Sequence, residues 1–311
     1  MTRRVAAGFG RLLPLLLIAT AVVIVIGATL VAACGRSSGG ESPQPTASAP
    51  ATEGPLASPA ESPSPSPSAS AGETTLRVYF LRGDELGVAQ RYVPHTVAVA
   101  GAAIEALLEG PTSAEKDAGL ATALAPGIRL NSLTISGGVA RVDVSSRFSD
   151  SGGGLDDAHS LLPGAQIVYT LTQFPTVRRV AIRVDDQPYP AAGSADSPAT
   201  EWRRQDFPDY EPAIFVEMPG VGAVISSPFA IAGTASVYEG SFIARLVDTS
   251  GRRVVNTPVQ ASLGAPGRGR FAKEIAFSTS AARGTLIVYE QSMEDGSRRN
   301  EVRIPVAFAT D

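Results

Sequence analysis

The segment Gln166-Ile-Val-Tyr-Thr-Leu-Thr-Gln-Phe-Pro175 decides the fold of the first globular region. Its apolar residues recur four and three positions apart, which is the spacing of one face of a helix: Ile167, Leu171 and Phe174. We therefore predict a helix over 165–174, ended by Pro175 because a proline ring cannot continue it. Alternating apolar residues follow and predict a strand: Val180, Ile182 and Val184.

Upstream of this helix, the same two periodicities predict the rest of an α+β domain. Apolar residues at helical spacing over 97–109 predict an earlier helix, which Gly110-Pro111 ends. Two alternating runs joined by a Gly-Gly turn predict a hairpin: Arg129–Ile135 and Val139–Val144. With a first strand over 76–81, the predicted order is β-α-β-β-α-β, with the helices on one face of a sheet.

Helical periodicity is not evident in residues 213–311. Seven short β-rich runs separated by turn residues recur there instead: Ile214–Val216, Phe229–Gly233, Phe242–Asp248, Val254–Val259, Phe271–Phe277, Thr285–Glu290 and Val302–Phe308. That number and spacing predict an all-β immunoglobulin-like sandwich. The chain has a single cysteine, so the sandwich has no internal disulfide.

The N-terminus predicts export and a lipid anchor. Three arginines precede an uncharged apolar run over 12–33, as in an export signal. The run ends in Val31-Ala-Ala-Cys34, which resembles the bacterial lipoprotein signal. The resemblance implies attachment of diacylglycerol, with palmitate as an acyl group, to the Cys34 thiol, followed by cleavage between Ala33 and Cys34. The alternative is a retained transmembrane helix, because about 20 apolar residues can span a bilayer. Both predict an extracytoplasmic chain at the cell membrane.

Composition divides the chain into five parts. Residues 1–33 are the predicted signal peptide, and 34–74 the lipidated cysteine with a Ser/Pro/Ala-rich linker that is too polar to fold. The α+β domain is placed at 75–190, an interdomain segment at 191–212, and the sandwich at 213–311. The net charge is −4, and nucleic-acid binding, which needs a basic footprint, is not expected.

Both globular regions resemble known bacterial domains. Residues 76–187 resemble the GerM domain of sporulation and germination proteins, through the segments Leu76-Arg-Val-Tyr-Phe80, Ala106-Leu-Leu-Glu-Gly-Pro111, Gly138-Val-Ala-Arg-Val-Asp143 and Gln166–Pro175. Residues 214–308 resemble the immunoglobulin-like domain that accompanies it, through Pro228–Ala235, Val237–Gly240, Gly269–Phe271 and Leu286–Glu290. These resemblances imply an envelope or spore-related role without established catalysis.

A non-enzymatic binding protein for a protein partner or peptidoglycan is therefore expected, without a cofactor. Accessory roles to an envelope hydrolase (or weak hydrolysis by the chain itself) or to a membrane sensor kinase stay open.

Few residues carry chemistry of their own. Only two histidines are present, and His95 is interpreted as a loop or capping residue. His159 follows Asp156-Asp157 at a spacing that could supply metal ligands, but a full site needs three or four ligands and no other histidine is near in sequence. Ser113-Ala-Glu-Lys116 matches the Ser-x-x-Lys motif of penicillin-binding enzymes, but the companion motifs are absent. Four residues are candidate partner contacts: Trp202, Tyr210, Arg268 and Arg270. Interdomain packing is the favoured interpretation of the two aromatic residues, and an exposed hairpin turn is that of the two arginines.

Overall fold

The computed structural model describes residues 72–151, 161–189 and 201–309. The predicted signal peptide, Ala33, Cys34 and nearly all of the linker lie outside these residues, as does His159 with its neighbours Asp156 and Asp157. Within the described ranges, no helix is long and apolar enough to cross a membrane.

The first domain combines a long hairpin, three helices and a four-stranded sheet. Its elements in chain order are β1 (Glu73–Arg82), β2 (Glu85–Pro94), α1 (Val99–Leu108), α2 (Ser113–Asp117), β3 (Leu130–Ser136), β4 (Val139–Val144), α3 (Leu162–Leu171), β5 (Arg179–Val184) and β6 (Gln187–Pro188). β1 and β2 form an antiparallel pair, and the other strands form a sheet in the order β3-β4-β5-β6. β4 and β5 are parallel, with α3 in the crossover between them.

Helix α3 is the centre of this domain, because all ten of its residues are buried. It contacts β1, α1 and β5, so no side of it faces solvent. The buried amide of Gln166 is satisfied there: its Oε1 accepts from the Ala123 N–H at 2.9 Å and its Nε2 donates to the Tyr79 carbonyl at 3.2 Å. The apolar residues at helical spacing therefore identify only one side of α3, although the whole surface of this helix is buried.

The prediction of an α+β domain is confirmed, and the structure adds β2, α2 and β6 to it. β2 was overlooked although Leu86 and Val88 alternate after a turn at Gly83-Asp84. Its second half carries Gln90, Arg91 and Tyr92, which makes the run look like a polar loop.

A buried ion pair links β2 to α1 and α2. Arg91 makes a two-point contact with Glu115, Nε to Oε1 at 2.9 Å and Nη2 to Oε2 at 2.6 Å. Arg91 also donates to the carbonyl oxygens of Ala106 and Gly110. Burial alone would raise the pKa of Glu115, but the hydrogen bonds from Arg91 and Thr112 outweigh it and lower the pKa. A carboxylate stabilised in this way adds to stability only while it is ionised.

Stability is therefore expected to fall in acid through Glu115. Its contribution is fully present above the ordinary pKa of about 4.5 and is lost as pH falls through the lower folded-state value. Glu115→Gln should cost about 1 to 2 kcal/mol at pH 7, and the difference in unfolding free energy from the wild type should narrow as the pH falls below about 4.5. Urea unfolding across this range measures it. Glu109→Gln is the control, since Glu109 lies 3.9 Å from Arg91 but is 76% exposed. A difference that does not narrow at all as the pH falls below about 4.5 would contradict the expectation.

The second domain is a sandwich of two sheets whose strands pair mostly in antiparallel fashion. Its strands are β7 (Ile214–Met218), β8 (Val224–Ile225), β9 (Phe229–Ala235), β10 (Ser241–Asp248), β11 (Arg253–Gln260), β12 (Gly269–Ile275), β13 (Arg283–Gln291) and β14 (Arg298–Phe308). One sheet has the order β12-β9-β7 and the other β11-β10-β13-β14-β8. All seven predicted runs are strands, so the sandwich prediction is confirmed, with β8 added.

Alternation along the strands builds the core between the sheets. Phe242 of β10 packs edge-on against Phe271 of β12, with ring centroids 4.9 Å apart. Gly233 in β9 must stay a glycine, because a Cβ there would lie 2.0 Å from the Phe215 carbonyl oxygen of β7. The same Cβ would lie 3.0 Å from the ring of Phe271, so this position is on the inner face of the sheet and has no room for a side chain.

Candidate functional site

The segment over 201–212 joins the two domains by packing into the first one. The backbone of Trp202 pairs with Val180 of β5 through two hydrogen bonds, N–H to carbonyl at 2.7 and 2.9 Å. Its indole is 1% exposed and stacks on Phe207, with centroids 5.1 Å apart and planes 10° apart. This burial supports the packing interpretation of Trp202, because a ring that is 1% exposed offers a partner almost no surface.

Tyr210 lies at the edge of the same cluster. It is half-buried, and its ring is tilted against Phe207 at 6.3 Å. Phe207 in turn packs against Tyr169 of α3 at 6.4 Å. The aromatic residues of the interdomain segment are thus anchored on the first domain.

Backbone contacts then hold the second domain against β2. The Gln90 N–H donates to the Val221 carbonyl and the Val221 N–H donates to the Val88 carbonyl, both at 2.8 Å. Gly220 permits this approach, because a Cβ there would lie 2.9 Å from the Gln90 nitrogen. The Val224 N–H also donates to the Tyr92 hydroxyl at 2.9 Å. The two domains are therefore joined by strand-like pairing as well as by side chains.

Arg204 is the central cation of the junction. Its Nη1 contacts both carboxylate oxygens of Glu217 at 2.9 and 3.0 Å, and its Nε donates to the Thr172 hydroxyl at 2.8 Å. Its guanidinium lies over the ring of Tyr169 at 4.6 Å and near the ring of Tyr79 at 5.3 Å. Glu217 sits at a bulge in β7, which turns its carboxylate out of the strand ladder and toward Arg204.

Two buried tyrosines complete this network. The Tyr79 hydroxyl donates to Glu217 and the Tyr169 hydroxyl donates to Glu211. Burial raises the pKa of Tyr79, and Glu217 raises it further. Burial and then Glu211 raise the pKa of Tyr169 in the same way. Both phenols therefore stay protonated as hydrogen-bond donors at any physiological pH.

A second ion pair lies across the sandwich face. Arg268 Nε is 3.1 Å from Glu211 Oε2, and its Nη2 donates to the Glu211 carbonyl at 3.2 Å. Arg268 Nη1 also donates to the Pro212 carbonyl at 3.1 Å. Arg268, predicted as a partner contact, therefore binds the interdomain segment through Glu211 and Pro212.

A cleft of about 1100 Å³ opens beside these ion pairs, and we call it the junction cleft. One wall comes from β1 and the end of α3, through Arg77, Thr172 and Gln173. The other wall is the outer face of the three-stranded sheet. Phe215 of this face packs against Tyr79 and Tyr169 at 6.1 and 5.9 Å. The face is uncovered further along, where the lining residues are small or polar: Ala232, Gly233, Thr234, Arg270 and Ala272.

The junction cleft has an excess of positive charge. Its charged lining residues are four arginines and two glutamates: Arg77, Arg204, Arg268, Arg270, Glu211 and Glu217. Arg204 and Arg268 pair with the two glutamates. Among the described residues, no acidic side chain forms an ion pair with Arg77 or Arg270. Of the predicted contacts, the structure places only Arg268 and Arg270 in this cleft.

Three residues of the site were missed in the sequence: Arg77, Arg204 and Glu217. Arg77 could have been found, because a period of two in β1 puts it on the same face as Tyr79. Arg204 and Glu217 carried no such signal, since their partners are more than ten residues away or in another domain.

The described residues do not converge on a catalytic arrangement. His95 is exposed in a loop, with its Nδ1 3.4 Å from the Thr74 hydroxyl. Ser113 and Lys116 lie on the surface of α2. Within the described ranges, no group of three or more His, Cys, Asp or Glu side chains could hold a metal ion. The chemistry available at the junction cleft is thus recognition by hydrogen bonds and charge.

Comparison with protein families matches both domains. Residues 77–190 match the family Germane, described as "Sporulation and spore germination". Residues 213–297 match Gmad2, described as "Immunoglobulin-like domain of bacterial spore germination". Neither description names an enzyme activity. A comparison with curated proteins finds no match.

Solved structures show distant similarity. The tandem GerMN domains of the sporulation protein GerM from Bacillus subtilis align with 67% of this chain at 15% identity and a TM-score of 0.36. This chain spans only 63% of that protein's length. The first GerMN domain of the same protein aligns by 98% of its length with 42% of this chain, at 20% identity and a TM-score of 0.35. A lipoprotein from Clostridium perfringens aligns by 93% of its length with 45% of this chain, at 21% identity and a TM-score of 0.30.

Proposed function

Since the chain carries a Germane domain followed by a Gmad2 domain, both of sporulation and germination families, we propose that it is a non-enzymatic binding protein of the bacterial cell envelope. It presents the two domains as one unit to a protein partner. The single observation that supports this proposal is the junction cleft, which is built from both domains and lined by residues suited to recognition.

A lipid anchor on Cys34 is part of the proposal. The sequence Val31-Ala-Ala-Cys34 after an uncharged apolar run supports it. The 34–74 linker would then hold the two domains away from the membrane surface, because a flexible chain of about 40 residues spans roughly 35 Å. The binding surface would be on the extracytoplasmic side.

The arrangement at the junction supports binding rather than catalysis. Arg204, Glu217, Tyr79 and Tyr169 bond one another and hold the domains together, and burial raises the pKa of both phenols, which keeps them protonated as hydrogen-bond donors. A fixed interdomain geometry lets one ligand contact both domains without an ordering cost on binding.

Photo-crosslinking in intact cells tests this proposal. The full-length chain carries a photoreactive amino acid in place of Gln205, which is exposed and lines the junction cleft. Arg141 on the exposed face of β4 is the matched control position. We expect a discrete protein adduct from position 205 and not from position 141.

Three results would contradict the proposal. One is the same adduct pattern from both positions. A second is quantitative sedimentation of the chain with protein-free cell wall when no adduct forms. The third is a cell-wall hydrolase activity of the purified chain that is lost on alanine substitution of His95, His159 or the Asp156/Asp157 pair.

A further inference from the structure

We infer that the junction cleft binds an acidic peptide segment of the protein partner, and that Arg77 and Arg270 pair with its carboxylates. This inference rests on the proposed function and adds the chemistry of the ligand. Three features of the cleft support it: two arginines that have no ion-pair partner among the described residues, the position of these arginines on opposite walls, and the shape of the floor.

The unpaired charge is the first feature. Two of the four lining arginines are held by carboxylates at 2.9 and 3.1 Å, in the pairs Arg204–Glu217 and Arg268–Glu211. The other two leave the cleft with a surplus of two positive charges, in a chain whose own net charge is −4. Clefts lined by one sign of charge concentrate ligands of the opposite sign.

The second feature is that the two arginines come from opposite walls. Arg77 projects from β1 of the first domain, and Arg270 from β12 of the second. A guanidinium matches a carboxylate in a planar, two-point contact. A segment with two or more carboxylates can therefore place one on each wall. Of the hydroxyl and amide groups beside them, those of Thr172, Gln173 and Thr234 already bond within the chain and hold the walls in place. The Ser236 side chain also lines the cleft and can bond the peptide backbone.

The third feature is the floor of the cleft. Ala232, Gly233 and Ala272 leave a low surface on the sheet, and the volume of about 1100 Å³ exceeds that of most small-molecule pockets. Among the described lining residues the one aromatic ring is Phe271, which is 4% exposed and faces the sandwich core. Sugar rings commonly stack on exposed aromatic rings, so this floor favours a peptide over a glycan.

Fluorescence anisotropy with two labelled peptides tests the inference. The probes are Gly-Glu-Glu-Gly-Glu-Glu-Gly and the same peptide with glutamine in place of glutamate, added to the full-length chain in detergent. We expect the glutamate peptide to bind and the glutamine peptide to bind at least about tenfold more weakly. The double variant Arg77→Gln/Arg270→Gln should lower the affinity for the glutamate peptide at least about tenfold. Added salt should also lower the affinity of the wild type for the glutamate peptide.

The matched control is Arg141→Gln/Arg253→Gln. It removes two exposed arginines from β4 and β11, outside the cleft, and should change the affinity less than twofold. Thermal unfolding shows whether each variant is folded; the cleft variant should match the wild type because neither of its arginines has an ion-pair partner among the described residues.

Several outcomes would overturn the inference. They are equal binding of the two peptides, no binding of either, or equal losses in the two double variants. Purified muropeptides that bind more tightly than the glutamate peptide, and only to the wild type, would assign the cleft to the cell wall instead. If Arg77→Gln/Arg270→Gln still captures the cellular partner at wild-type yield, the acidic-peptide inference fails and the proposed function stands. If the wild type captures no partner, the proposed function itself fails.

Discussion

Replacing Trp202 with alanine is expected to lower the free energy of unfolding by about 3 to 5 kcal/mol, the cost of emptying a site filled by a large aromatic ring. The side chain is 1% exposed and lies flat on Phe207, which itself is fully buried against Tyr169. Removing the indole would leave one face of Phe207 without contact. It would also loosen the two backbone hydrogen bonds to Val180, which fix where the interdomain segment begins.

Urea unfolding of the full-length chain in detergent measures this loss. Tyr238→Ala is the control, because it also deletes an aromatic ring but one that is 63% exposed. The free energy of unfolding of this control should stay within about 0.5 kcal/mol of the wild-type value. A loss below about 1 kcal/mol for Trp202→Ala would mean that the ring is not a packing element. The partner-contact alternative would then have to be reconsidered.

Arg204→Met is expected to cost about 3 to 4 kcal/mol, because it strands Glu217 without its cation. The Arg204 and Glu217 side chains are only 28% and 15% exposed, so water replaces the lost contact poorly. The substitution also removes the cation over Tyr169 and the hydrogen bond to Thr172. The aliphatic side chain of methionine preserves most of the volume, which separates the loss of charge from the loss of packing.

A double-mutant cycle isolates the Arg204–Glu217 contact. Arg204→Met/Glu217→Met should be less destabilised than the sum of the two single variants, by about 1 to 3 kcal/mol. Some cost should remain, because the Tyr79 hydroxyl loses its acceptor. The control cycle uses Arg298 and Glu301, an ion pair at 3.1 Å in which the arginine is 39% exposed. Its coupling should be below about 1 kcal/mol. Additive losses at Arg204 and Glu217 would refute the junction as described.

These two sites differ in how far the sequence predicted them. Trp202 was recognised as a notable residue because a lone tryptophan in a polar segment is conspicuous, but its environment was open between packing and partner contact. Arg204 was not predicted as a site residue, because an arginine next to Arg203 in a polar segment is typical of a solvent-exposed surface. Its partners are Glu217, thirteen residues on, and Tyr79, 125 residues away. No local pattern encodes such pairings.

The sequence by itself determined the class and order of the two domains, because helical and strand periodicities record which faces are buried. It also determined the end of α1 and the turn between β3 and β4, since Gly110-Pro111 and Gly137-Gly138 act through local backbone geometry. The predicted end of the later helix at Pro175 was wrong, because α3 spans Leu162–Leu171. The predicted anchor at Cys34 likewise depends on local sequence alone.

Only the tertiary structure decided how the domains meet. It placed Trp202 in the interior, joined β2 to Val221, and turned Glu217 toward Arg204 at a bulge. It also brought Arg77 and Arg270 to opposite walls of one cleft, although 193 residues separate them. The physical reason is that burial and charge pairing are properties of the packed surfaces, and each surface is assembled from distant segments of the chain.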